Sequence, residues 1–344
     1  MGPIQLKPSS WMQFPDGLNN PSLLLVHCVP CRVKTSFRRN IQTGLNTDLQ
    51  TATHVSTASR VGLLPLLILP AVAILFRDCM SAWLFMWTLS FAIFAGLKWM
   101  SWQRAKTRVA HDVGRSFAYL IAWPGMDAEA FLDPTKHAIK PTAPDWLWAT
   151  LKTALGVALL WLVARRVPPQ HDLIRGWIGL FGLICLLHFG AFHLIALFWQ
   201  AMGIDAEAIM AKPILSKTLS EFWGKRWNLG FRQLAHDLIF RPLHRRMGVA
   251  AAGFLVFVAS GLIHDLVISL PARGGYGLPT GYFLLQGLGV MLERSALGRR
   301  LGLQKGPIAW LFMLILAAAP AFWLFHPPFV LRVILPFMRA IHAL

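Results

Sequence analysis

Apolar residues along this chain gather into runs at positions 61–76, 81–97, 146–164, 176–202, 249–270, 281–292, 308–325 and 329–341, with basic stretches between them. A helix rising about 1.5 Å per residue needs roughly 20 apolar residues to cross the hydrocarbon of a bilayer. The third, fourth, fifth and seventh runs meet or approach that length. The first carries Pro65 and Pro70 and is expected to be kinked, and the sixth and eighth are short enough to be tilted, re-entrant or half-spanning. The pattern therefore predicts an all-α polytopic membrane protein, with about eight transmembrane helices by run length.

Charge orders the runs. If residues 1–60 face the cytoplasm, alternate segments carry six, seven (Lys98 to Lys140), eight (Lys212 to Arg246) and four (Arg294 to Lys305) Lys or Arg. The other side carries one (Arg77), three (Arg165, Arg166 and Arg175), one (Arg273) and none. Cytoplasmic loops of membrane proteins are enriched in this way, so the N-terminus and the two long loops are expected in the cytoplasm. Two segments there have the pattern of interfacial amphipathic helices: Arg104 to Trp123, and Ile214 to Phe240 with Trp223 and Trp227 four apart on one helical face. Residues 1–60 are polar and basic, are expected to be disordered, and precede a membrane domain at 61–344. Their apolar run Leu23–Val26 is too short for the core of a secretory signal.

Composition agrees with a membrane chain: 56% of residues are hydrophobic, 14% charged and 15 are tryptophan. The net charge of +18 lies between the apolar runs rather than on a soluble surface, so nucleic acid is not an expected partner. Cys79 and Cys185 read as core thiols. Cys28 and Cys31 have redox or zinc spacing but no second pair, so chance is the better reading. The histidines are scattered, without HxxxH, HxxHH or HExxH, and no metal or cofactor is expected. No Gly-x-Ser-x-Gly elbow or phosphate loop is present either.

The informative residues are those that packing does not require. His264 and Asp265 sit near the far end of the run 249–270, where an ionisable pair is costly and marks a cavity or substrate path by default. Upstream, Glu221-Phe222-Trp223-Gly224-Lys225-Arg226-Trp227-Asn228 is a dense aromatic, basic and amide cluster. A neutral imidazole can take a proton from an alcohol attacking a thioester, and a side-chain amide can donate to the oxyanion that forms. Lys225, Arg226, Arg232 and Arg241 carry the charge to meet coenzyme A phosphates. The plain alternatives are an interhelical hydrogen bond for His264, a helix cap for Asn228, interface anchoring for Trp223 and Trp227, and lipid headgroups for Lys225 and Arg226. His188 and His193 read as packing or tunnel-lining groups. A transporter using His264 and Asp265 as a proton relay would want inverted repeats and acidic residues in several runs, and neither is visible.

Phe222 to Asn228, followed 36 positions later by His264 in Ser260-Gly261-Leu262-Ile263-His264-Asp265, resembles the membrane-bound O-acyltransferase family, and within it the wax synthase-like branch of long-chain-alcohol O-fatty-acyltransferases. Tyr282 to Gly287 and the turn Trp123-Pro124-Gly125-Met126-Asp127 also look like that branch. The resemblance covers residues 115–293. It implies a multi-helix fold with a buried reaction tunnel over 61–344, an acyl-CoA co-substrate and a hydroxylated, lipophilic acceptor. It further implies that His264 is the catalytic histidine and Asn228 the second active-site residue, with Asp265 where relatives often carry an acidic residue. Trp223, Lys225, Arg226, Trp227, Arg232 and Asp265 are the candidate substrate-binding residues beside them. A long-chain alcohol is the expected acceptor, with sterols, smaller alcohols and saccharides as alternatives. Compact loops point to a bacterial inner membrane.

Overall fold

Lipid offers no hydrogen bonds to a backbone, so runs this apolar close their own amides as helices. The computed structural model describes residues 62–344, which lie within one unit, Ala58–Leu344, and no strand occurs among the described residues. The polar tail at 1–60, with Cys28 and Cys31, lies outside the described residues.

Among the described residues, five helices are long and apolar enough to cross a membrane: Ala82–Ala105, Ala143–Arg166, Pro169–Ala201, Leu229–Ala272 and Gly306–Leu324. In that order the five spans have 24, 24, 33, 44 and 19 residues. The second has Pro144 in its first turn, where a proline costs no helical hydrogen bond, and the Asp145 carboxylate accepts from Thr142 N at 2.8 Å to close its start.

The other three runs are helical but shorter. Gly62–Leu75, which holds Pro65 and Pro70, packs on the first span, where a Cβ on Gly96 would lie 2.5 Å from Leu66 Cα. Leu278–Arg294 has 17 residues. The eighth run forms short helical pieces over 327–340, with Val330, Val333, Ile334, Leu335 and Met338 all buried. That burial explains its apolar character: it packs against other protein segments, and Gly176 and Gly179 of the third span leave room for Val330 and Met338. Eight runs thus correspond to five helices of spanning length and three shorter ones.

The lipid-facing surface is legible on the second span, where Leu147, Leu151 and Leu155 are exposed at a spacing of four. Three expectations need correction. Cys79 is exposed in a short turn, and only Cys185 of that pair is buried. Arg104 to Trp123 is not continuous, because the first span ends at Ala105 and a separate short helix occupies Val113–Ala122. Nor is 214–240 one amphipathic helix. It contains a turn at Pro213–Leu215, short helical pieces at Leu219–Glu221 and Phe222–Arg226, an extended Trp227, a left-handed Asn228 and then the fourth span. That span itself breaks at Gly248, whose φ of 82° and ψ of 165° suit a residue without a Cβ. The part beyond the break, to Ala272, is about 36 Å long, enough to cross the hydrocarbon.

Candidate functional site

His264 lies about 24 Å along the helix from the Gly248 break, counting the helical rise. Its Nδ1 is 2.7 Å from the Ser260 carbonyl oxygen. A carbonyl can only accept, so Nδ1 carries the proton and Nε2 of the neutral ring keeps its lone pair. The helix widens into a π-turn at Asp265–Ser269 immediately afterwards, a distortion that recurs at functional sites.

Asp265 does not orient the imidazole. Its carboxylate accepts from Ser269 Oγ at 2.8 Å, Gly277 N at 2.9 Å and Thr280 N at 3.0 Å, and from the Thr280 hydroxyl. It therefore caps the start of Leu278–Arg294 and fixes that helix to the one bearing His264. Gly261 allows the close approach, since a Cβ there would lie 2.8 Å from Thr280 Cα.

Three residues of Leu278–Arg294 then reach the site or its support. The Phe283 ring is 4.4 Å from the His264 ring. Gln286, fully buried, accepts from Trp223 Nε1 at 3.2 Å and donates to the Leu316 carbonyl at 2.7 Å. Glu293 accepts from Leu219 N at 2.7 Å and Ser220 N at 3.2 Å. Trp223 contacts Phe283, Phe257 and Trp227, at centroid distances of 5.6, 5.8 and 6.3 Å. An unbroken series of ring contacts thus runs from His264 through Phe283 and Trp223 to Trp227, beside Asn228. Sequence reasoning does not single out Gln286 and Glu293 as site residues, although their spacing from Phe283 by three and ten is a usable signal of a shared helical face.

Asn228 has left-handed backbone, φ 41° and ψ 64°, and its Oδ1 accepts from Phe231 N at 3.2 Å. It is a helix cap, as its plain reading anticipates, and the cap uses the oxygen while Nδ2 is the side chain's donor. The basic residues divide. Arg226 pairs with Glu221 at 2.7 Å and donates to the Ala211 carbonyl at 3.2 Å, and Arg232 donates to the Gly224 carbonyl at 2.7 Å. Lys225 and Arg241 are exposed. Burial pushes the Glu221 carboxyl up, but the Lys217 N–H and the Arg226 guanidinium outweigh it and hold the group below its ordinary value. His193 Nδ1 meets Lys152 Nζ at 2.9 Å between two spans, whereas the buried His188 Nδ1 has no hydrogen-bond partner among the described residues.

Residues 206–285 match the profile of the membrane bound O-acyl transferase family. Over 145 residues the chain is 29% identical to a probable long-chain-alcohol O-fatty-acyltransferase 7 of Arabidopsis thaliana, covering 38% of this chain and 42% of that protein. It is 27% identical over 144 residues to a long-chain-alcohol O-fatty-acyltransferase of Simmondsia chinensis, covering 38% and 40%. It is also 27% identical over 137 residues to an acyl-CoA–sterol O-acyltransferase 1 of Arabidopsis thaliana, covering 37% and 39%. The chain thus spans less than half the length of each. These relatives are plant proteins and lend no support to a bacterial membrane.

Proposed function

We propose, from the match of residues 206–285 to the membrane bound O-acyl transferase family, that this chain is such an enzyme and transfers a fatty acyl group from acyl-CoA to a hydroxyl acceptor, with a long-chain alcohol as the preferred one. The observation that carries the reading is His264: Nδ1 is held on the Ser260 carbonyl, and Nε2 remains a base in an aromatic setting. The acceptor hydroxyl gives its proton to Nε2 as its oxygen attacks the thioester carbonyl. The oxyanion so formed takes a hydrogen bond from Asn228 Nδ2. Collapse breaks the carbon–sulfur bond, and the proton on Nε2 passes to the leaving thiolate, which returns the neutral imidazole.

The exposed Lys225 and Arg241 suit the phosphates of coenzyme A, while Arg226 and Arg232 support the site by fixing the segment around Gly224. A soluble thioester donor places that segment on the cytosolic face, in agreement with the distribution of basic residues. The aromatic surroundings of His264, with Phe283 against its ring and Trp223 against Phe283, suit a lipophilic alcohol. A sterol acceptor is the second reading, favoured by the similarity to a sterol acyltransferase.

Membranes bearing the protein, given labelled palmitoyl-CoA with a panel of long-chain alcohols, sterols and diacylglycerol, test the proposal. Wax ester is the expected product. Steryl ester would select the second reading, and no ester from correctly inserted protein would contradict both.

A further inference from the structure

The first span carries a lysine that the chemistry above does not use. Lys98 is 2% exposed, and none of the ion pairs among the described residues includes it. Its Nζ donates to the Gly125 carbonyl at 2.5 Å and lies 3.2 Å from the centroid of the Tyr119 ring. Methionine would fill similar space without the cost of desolvating an amine, so the position calls for an explanation in terms of what Nζ holds.

What it holds is the turn Trp123 to Asp127. Gly125 is bonded by Lys98, and the next carbonyl, that of Met126, lies 3.2 Å from the Tyr119 hydroxyl, itself fully buried and 2.6 Å from Ser101 Oγ. The preceding Ala122 carbonyl accepts from Trp199 Nε1 at 3.1 Å. The turn is therefore fastened from three helices. Its outer side abuts Gly230: a Cβ there would lie 3.2 Å from Met126 N and 3.5 Å from Met126 Cγ. Gly230 is in the first turn of the helix that Asn228 caps.

We propose that Lys98 is a positioning residue for Asn228, acting through the Trp123–Asp127 turn and Gly230. The inference rests on the proposed role of Asn228 in acyl transfer. Lys98 sets the seat of the turn, the turn sets the helix start, and the helix start sets where the Asn228 amide points. Small displacements of a group that must meet a developing charge cost large factors in rate.

The test is a double-mutant cycle on the purified full-length protein, with palmitoyl-CoA and hexadecanol as substrates. Lys98→Met is expected to lower kcat by about tenfold to a hundredfold with little change in KM. In an Asn228→Ala background the same change is expected to have little further effect, because the amide it positions is gone. Amide exchange in residues 229–235 should rise in Lys98→Met, a readout independent of activity. Equal effects of Lys98→Met in both backgrounds, or full turnover in the single variant, would overturn the proposal. If Lys98→Met does not fold, Gly230→Ala presses on the same contact from the other side and is judged by the same cycle. A silent Asn228→Ala, or an inactive wild type, would instead mark failure of the acyl-transfer reading on which this one rests.

Discussion

His264 and Asn228 each make one local hydrogen bond that decides which of their atoms is left for chemistry. The Ser260 carbonyl accepts from Nδ1 of His264, and Oδ1 of Asn228 accepts from the Phe231 N–H. Capping and donation by Asn228 can therefore be separated. Asn228→Asp retains an oxygen for the cap, and aspartate tolerates left-handed backbone, but it lacks the amide donor. It is expected to melt like the wild type while kcat falls about 10²- to 10³-fold, measured by steady-state kinetics beside a thermal melt. Both residues stand out in the sequence because a histidine in an apolar run and an amide among aromatics are costly without a purpose. The partners of Asp265, Arg226 and Arg232 are not legible there, since a charge written in a sequence carries no direction. Counting Lys98 as a loop cation fails for a related reason: its span continues to Ala105, beyond the end of the apolar run.

Among the elements, Leu278–Arg294 does the organising. Asp265 fixes its start, Phe283 meets His264, Gln286 holds Trp223, and Glu293 caps the turn at Leu219 and Ser220. Glu293→Ala leaves buried N–H groups without a partner and is expected to cost about 1–3 kcal/mol, read as a lower melting temperature with faster amide exchange across 219–226. Acid should loosen the same segment. The Glu221 carboxyl is held below its ordinary value, so its contribution is present above the unfolded value of about 4.3 and is lost as pH falls through the lower folded value. Exchange in 219–226 should rise over that window, and Glu221→Gln should flatten the rise. The length of the apolar runs locates the helices well, but it cannot show the π-turns or the break at Gly248, which depend on local backbone geometry rather than on the apolar pattern.

At the scale of the molecule, run length alone does not fix the number of spanning helices, because a run can be apolar for two reasons, lipid contact or burial in protein. The pieces at 327–340 belong to the second class. Orientation is testable with Arg246→Cys and Arg273→Cys, both exposed and flanking the part of the fourth span beyond Gly248, in a background lacking the four natural cysteines. An impermeant maleimide should label one from each side of a sealed vesicle, with Arg246→Cys on the cytosolic face, and labelling of both from one side would contradict the topology. Whether His264 is the base for acyl transfer is read from wild type and His264→Ala side by side in a purified assay of labelled palmitoyl-CoA with hexadecanol. A base at His264 requires a loss of at least about 10²-fold in kcat with the melting temperature preserved, and a His264→Ala protein that forms ester at the wild-type rate would rule that role out.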